Sequence, residues 1–578
     1  MNRTSLPALR TAISATLFCA PLCVLGTAPA HALDGGTLRV NTFNGWKAFE
    51  VITEGEDPSG DGFTYAMPRA FDGAGAWLVA PTILRLQVNH ERSDASISEV
   101  DLDLANLQAA IANVIGTGTT GGVKFVLSAR QAYGRWSSDG GSSFTATTDA
   151  SSTSFKGFCA SQAYAPDTFG PNRGFADETY VTGEEVTGGR LFALDSVRRD
   201  FYQLSGTIGS APGGIGGMSF DSWENAALLD TGETGHVALL LSPDGGSSQL
   251  KLYIGVKGRD ANGNTSSSFL ARNGLAYGSW YYLNGSLPTA LGNTNGGTFD
   301  TTAAGALTST KLEDVDTSPS DPTRVVLGDE DSGVFTFDFT LVFAGGFDAA
   351  ASGFTVTKIA NSSSGSGSLD SPDNVDWTDA TTLGANSFPQ GLIFVNEDNV
   401  TGEIWRMNVD GSQQILIGST TVGAETTGIF DISAWVGYVP GSILITNNQG
   451  FPSSMTVLIN PDARLTGSPG GGRIAQLVVS KLLPASLQLT WQGSCSADDD
   501  DYAVYAGDIG EFTSHTIEVC STAGFTDATV DLPSGNRYYL VVPLDGGEEG
   551  SYGTDREGVE RPVGVVTCAP QHIASGCP

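Results

Sequence analysis

Basic side chains are scarce in this chain of 578 residues: 29 Lys and Arg stand against 63 Asp and Glu, and there are 5 histidines. The formal charge of −34 repels phosphate-bearing surfaces over a Debye length of ~8–10 Å, which argues against nucleic acids and anionic membranes as partners. Only His90 and His236 lie between residues 33 and 465, so neither a histidine-based triad nor a histidine-rich zinc site is on offer there. Lysine, arginine and glutamate are also the usual helix formers, and their scarcity excludes a mainly helical protein. Beyond residue 32 no apolar run is long enough to cross a membrane.

What the chain has in quantity is glycine, serine, threonine and aspartate between short β-branched and aromatic runs, the pattern of strands joined by tight turns. Its 75 glycines and 25 prolines make about 17% of the chain, below the ~25–30% of disordered segments, so it folds. At ~150 residues per domain the length allows two to four domains.

Residues 1–32 read as a secretory signal. Arg3 and Arg10 precede the apolar stretch Ala12 to Leu25, and Ala30-His31-Ala32 fits the small-x-small cleavage pattern. Removing its two arginines would take the formal charge from −34 to −36. Export to the periplasm, the cell surface or the medium exposes Cys159, Cys495, Cys520, Cys568 and Cys577 to an oxidising compartment. Local sequence distance pairs Cys495 with Cys520 and Cys568 with Cys577, the first closure contributing ~3 kcal/mol, and leaves Cys159 as the odd thiol.

Short strand candidates recur from residue 33 to 465: Val123 to Ser128, Ala238 to Leu241, Leu250 to Val256, Arg324 to Leu327, Val334 to Phe343, Leu392 to Asn396, Gly402 to Asn408 and Ser442 to Thr446. So many short antiparallel strands over ~430 residues fit a β-propeller of about six blades, which adds length without long exposed edges. Asp101 to Gly116 has apolar residues at helical spacing and is predicted as a packed insertion. The Gly/Pro-rich segment over 466–477, centred on TGSPGGG, reads as a linker to a small β-sandwich over 478–578.

With histidine nearly absent, carboxylates must carry the chemistry. Acids recur beside turn glycines and at strand ends, as at Asn89-His90-Glu91, Glu184-Glu185, Glu224, Asp244, Glu313-Asp314 with Asp316, Asp329-Glu330-Asp331, Asp373-Asn374 and Glu397-Asp398. Hard oxygen ligands brought together from different blades suit calcium, or ferric iron where a thiolate joins them.

In wording and order these segments resemble the PhoX family of secreted alkaline phosphatases, over most of Phe71 to Phe451. Phe71-Asp72-Gly73-Ala74-Gly75-Ala76 is similar to its P-D-G-x-G-A, and Asn89-His90-Glu91 matches its N-H-E. Phe158-Cys159-Ala160-Ser161, Val181-Thr182-Gly183-Glu184-Glu185, Trp223-Glu224-Asn225, Lys311-Leu312-Glu313-Asp314, Ser371-Pro372-Asp373-Asn374 and Asn396-Glu397-Asp398 follow in family order. Where the family has C-E-E, this chain has Gly183-Glu184-Glu185. Late in the chain, Ile445-Thr446-Asn447-Asn448-Gln449-Gly450 resembles an N-x-Q-x-G ending.

The resemblance implies a propeller with an axial iron and calcium cluster that hydrolyses phosphate monoesters. Carried over, Cys159 is a thiolate ligand to Fe3+, and Glu91, Glu185, Glu224, Glu313, Asp373 and Asp398 are carboxylate ligands, with Glu184 and Asp244 as further metal candidates. Iron ligation would also account for an unpaired thiol in an oxidising compartment. Arg173 and Arg272 are candidates to bind phosphate oxygens. The C-terminal segments Leu487 to Trp491 and Asn536 to Pro543 resemble strands of a fibronectin type III-like sandwich, with Trp491 in its core. Two other functions fit similar acids: a non-catalytic, calcium-stabilised secreted propeller used for binding, and a calcium-dependent propeller lactonase or phosphotriesterase, which would need no cysteine.

Overall fold

The computed structural model describes residues 38–573 other than 59–64, 148–153, 365–366, 385, 422, 467–472, 475, 483–484, 495, 497–498, 546, 555–559 and 565. The segment read as a signal, residues 467–472 of the linker, and Cys495 and Cys577 therefore lie outside the described residues.

Six antiparallel blades make up most of the described chain. Their innermost strands are, in order, Phe71–Ala80, Ser161–Tyr164, Trp223–Leu229, Leu312–Thr317, Pro372–Trp377 and Thr426–Asp431. Each touches the next and the last touches the first, so the strands close a ring around a central axis: a six-bladed β-propeller. In blade three, Trp223–Leu229 pairs with His236–Pro243, then Lys251–Val256, then Tyr277–Asn284. Strands inside a blade are covered on both faces by neighbouring blades, so they read as continuous apolar runs rather than alternating ones. His236–Pro243 is buried from its second residue onward.

The ring is closed by the start of the chain. Lys47–Thr53 supplies the outer strand of blade six, with Lys47 opposite Ile459 and Thr53 opposite Ser454, and Val40–Thr42 extends blade five beside Ile415–Thr420. Both additions cover edges that would otherwise be left open. The outer edges of blades three and four are stitched together by Thr294–Asp300.

The expected helix is present but begins later, as Leu104–Thr117, because Asp101 to Asp103 complete the strand Ser96–Asp103. Asp103 caps it, its carboxylate accepting from Asn106 N at 2.9 Å, and Gly118 ends it in a left-handed conformation. Its buried face, Leu104, Leu107, Ala110, Ile111 and Val114, joins the core of blades one and six. The strand expected over Val334 to Phe343 stops at Thr340, where the chain turns through a bridge between Phe343 and Phe347.

Past residue 478 the described strands form two sheets, Val478–Leu482, Ser486–Thr490 and Asp527–Asp531 in one and Thr516–Val519, Asp501–Asp508, Arg537–Asp545 and Glu548–Glu549 in the other. Trp491 packs with Leu489, Tyr502, Val504, Val530 and Val541 in the core of this region. The disulfide here joins Cys520 to Cys568, across 48 residues, which corrects both pairings drawn from local sequence distance. The two cysteines are brought together by their places in the fold, a relation that separation along the chain does not report. No described helix is long and apolar enough to cross a membrane.

Candidate metal centre

One end of the propeller axis carries a cluster of acids, built by the same device in successive blades. At the second residue of the innermost strand stand Asp72 in blade one, Glu224 in blade three, Glu313 in blade four and Asp373 in blade five. Blade two places Cys159 two residues before Ser161–Tyr164, and blade six places Glu425 just before Thr426–Asp431. In blades one, three, four and five the pairing register shifts across the acid, between Phe71 and Ala74, Trp223 and Asn225, Leu312 and Val315, and Pro372 and Val375. A bulge of this kind re-aims a side chain that a regular pleat would send between blades.

A second set follows the second strand of each blade at the same end. Glu91, Asp244, Glu330, Asp398 and Gln449 each stand one residue beyond such a strand, and Glu185 stands two beyond. Three overlapping groups converge so that their ligand atoms lie within 4.8 Å of one another: Asp72 with Glu91 and Cys159, Cys159 with Glu185 and Glu224, and Glu224 with Glu313 and Asp373.

The contacts within the cluster are few and specific. The Cys159 thiol, buried and unpaired, donates to Glu185 Oε2 at 2.9 Å. Gln449 Nε2 donates to Glu91 Oε2 at 2.6 Å and to Asp72 Oδ2 at 3.1 Å. Lys311 is the one ammonium among these acids in the described residues, 3.0 Å from Asp244, 3.1 Å from Glu313 and 3.2 Å from Glu330. Burial, followed by facing carboxylates, drives Asp72, Glu224, Glu313 and Asp373 well above the ordinary carboxylate range. The same causes bring Glu185 to about 7 and Glu425, which faces Asp398, to about 11. Burial first, and Glu224 and Glu185 next, also push the Cys159 thiol up.

Of the residues singled out in the sequence, the structure brings Glu91, Cys159, Glu185, Glu224, Asp244, Glu313, Asp373 and Asp398 to this end of the axis. It gives others different work. Glu184 is held by Arg190, at 2.6 Å from Nε and 2.5 Å from Nη2, and accepts Lys156 N at 3.0 Å. Arg173 pairs with Asp230 and Arg272 with Asp177, each at 2.9 Å. Asp230 follows Trp223–Leu229, six residues from Glu224, so these pairs lie ~20 Å away at the other end of the blades. The sequence reading names Glu330 among the recurring acids and quotes Asp72 within a family-like string without giving either a metal role, and it passes over Glu425.

Neighbouring motif residues hold the frame. Asn89 Nδ2 donates to Cys159 O at 2.7 Å and to Thr182 Oγ1 at 2.8 Å. His90 contacts Ser98 Oγ at 2.6 Å, and burial lowers it to about 3, so it stays neutral. Asp314 ties three blades together by accepting from the Asn225 amide, from Val315 N at 2.7 Å and from Val375 N at 3.0 Å. Glycines let the strands approach: a Cβ on Gly73 would lie 2.5 Å from Cys159 O, and one on Gly183 would lie 2.4 Å from Trp223 Cβ. A side chain of any kind at Gly183 therefore has no room here.

Beside Glu91 and Gln449 the centre opens into a cavity of about 410 Å³ bordered by Arg69, Arg92 and Phe451. Arg92 reaches Asp94 at 2.9 Å through Nη2, while its Nε is buried with no hydrogen-bond partner among the described residues.

No protein-family model matches the chain, and no curated protein does. Among solved structures it is similar to the β-propeller domain of Cps50 (Swd1) from Myceliophteria thermophila, at 9% identity and a TM-score of 0.29, over 68% of this chain and 97% of that one. A protein of unknown function from Dyadobacter fermentans matches at 10% identity and a TM-score of 0.33, over 73% and 99% of the two chains. Sqt1 of Chaetomium thermophilum, solved with the N-terminus of a ribosomal protein, matches at 11% identity and a TM-score of 0.29, over 69% and 97%. At these scores the likenesses carry no argument about the site, which stands on its own geometry.

Proposed function

We propose that this chain is an exported, metal-dependent hydrolase of phosphate monoesters, whose axial acids and Cys159 hold calcium and iron. The observation that supports it most is the run of three overlapping ligand groups, each sharing a member with the next and each converging within 4.8 Å. The donor set fits those ions: Glu224, Glu313 and Asp373 offer only hard carboxylate oxygen, as calcium prefers, while Cys159 adds the soft thiolate that suits iron. When bound, such cations polarise phosphoryl oxygens and offset the charge that grows in the transition state.

The chain's own residues prepare that chemistry. Glu185 Oε2 already accepts the Cys159 hydrogen bond, so the thiol proton has an acceptor in place when the sulfur ionises to bind. Lys311 fixes Asp244, Glu313 and Glu330 in position by pairing with all three. Gln449 does the same for Glu91 and Asp72 through one amide nitrogen. Arg69 and Arg92, rather than Arg173 and Arg272, border the open cavity, and their guanidinium groups give donors for a phosphate oxygen. Phe451, 80% exposed at the rim, offers an apolar face to the alcohol part of the ester.

The test is elemental analysis of the purified protein together with turnover of a chromogenic phosphate monoester. Glu91→Gln and Glu313→Gln each keep the side-chain shape and weaken the hold on a hard cation, so each is expected to cut the rate ~100-fold or more, with Asp499→Asn as a wild-type-like control. Wild-type turnover in both site variants would remove the assignment. Protein that binds calcium, holds no iron and cleaves no phosphate ester would instead support the non-catalytic binding propeller.

A further inference from the structure

At the other end of the axis, residues from the innermost strands of five blades and the loops beside them line a cavity of about 580 Å³, within the ~300–1,000 Å³ of small-ligand sites. Its wall mixes acids with rings, notably Asp316, Asp376 and Asp431 with Tyr164, Trp377 and Trp435, and no lysine, arginine or histidine lines it. Asp316 and Asp376 stand three residues beyond Glu313 and Asp373 on the same strands, so this mouth lies ~10 Å down the axis from the candidate metal centre.

One of these acids has an oxygen without a partner. Asp376 is only 8% exposed, its Oδ1 accepts Asp431 N at 3.3 Å, and its Oδ2 is buried with no hydrogen-bond partner among the described residues. Its neighbours have backbone donors: Trp377 N at 2.7 Å on Asp316 and Gly441 N at 2.7 Å on Asp431. Burial still pushes Asp316 up to about 7 and Asp431 up to about 6, because no facing cation offsets it. A buried carboxylate oxygen left without a donor or cation is costly, which makes this a place where a positive ligand is favoured.

The kind of cation follows from the spacing. A metal ion needs several oxygens converging on one point, and among the described residues every group that converges within 4.8 Å lies at the opposite mouth. Here the acids are spread around a wide chamber and interleaved with aromatic faces, which attract ammonium groups and cover apolar bodies. Arg324 does stack over Trp377, 5.0 Å from the ring centroid, but it is paired with Asp338 and does not line the chamber. We propose that this cavity binds a small organic cation, an ammonium group on an apolar or aromatic body, with the charge against Asp376 and the body among Tyr164, Trp377 and Trp435.

The probe is phenethylammonium, titrated calorimetrically into the full metal-loaded chain, with 3-phenylpropionate as an anion of similar shape and calcium as a competing titrant. Phenethylammonium is expected to bind one to one and the anion not at all. Asp376→Asn should weaken binding about tenfold or more, the loss expected of a charge-assisted contact. Trp435→Ala, at a half-buried position, should weaken it through the lost ring face and keeps the test open should the Asn variant fail to fold. Absence of binding, equal binding of the anion, unchanged affinity in a folded variant, or displacement of phenethylammonium by calcium would each overturn the proposal.

Discussion

At the scale of single residues, Cys159 separates the possible chemistries most sharply. As a ligand to ferric iron it gives the protein a thiolate-to-iron charge-transfer band, which Cys159→Ser should bleach while lowering iron content, since a hydroxyl is a far poorer anionic ligand. As an inert buried thiol it gives no colour, and serine costs only the ~1–3 kcal/mol of an unpaired hydroxyl. Visible absorption and metal content of the two proteins decide between these. The residues that were legible in the sequence are those embedded in family-like strings, such as Asn89-His90-Glu91 and Trp223-Glu224-Asn225. Asp72 stands inside the string Phe71 to Ala76, yet nothing in that string tells a ligand from any other strand acid. Glu425 has no string around it at all, and its role emerges only once blade six is seen to place it where the other blades place theirs. Glu184 and Glu185 cannot be told apart by composition, because what divides them is Arg190, six residues on, taking the first.

At the scale of elements, the innermost strands must approach closely enough to share ligands, and glycine permits it. Blade one meets blade two at Gly73, where Gly73 N donates to Cys159 O at 3.0 Å and an added Cβ would stand 2.5 Å from that oxygen. Gly73→Ala must therefore push the Cys159 strand away, costing ~1–3 kcal/mol as overpacking and pulling the thiol from its partners. Urea denaturation together with iron content checks this, and an unchanged midpoint with full iron would show that the strand yields without consequence. The strands themselves were readable because both faces of a blade are covered, which writes apolar runs such as Leu392–Glu397 and Ile443–Asn448 into the sequence. Their partners were less so. That Lys47–Thr53 would pair with Ser454–Ile459, and Cys520 with Cys568, depends on where the ring brings distant segments, and spacing along the chain holds no trace of it.

At the scale of the whole molecule, a formal charge of −34 and a core of facing carboxylates make the fold depend on what neutralises them. In the metal-free protein protons do so. Glu185 ordinarily titrates near 4.5 but reaches about 7 in the fold, so the folded state binds its proton more tightly than the unfolded chain does. Because the native state holds more protons, this contribution is fully present below 4.5 and is lost as pH rises through about 7, and Asp72, Glu224, Glu313 and Asp373 shift in the same direction. Chelated protein should therefore lose several degrees of melting temperature between about pH 5 and about pH 8. Metal-loaded protein should reverse the trend, since cations bind the ionised acids and compete with protons, so the stabilisation by calcium and iron is largest at the alkaline end. Thermal unfolding across that pH range, with and without chelator, makes the comparison. Parallel curves would mean that the axial acids hold no ion, and the proposed function would fall with them.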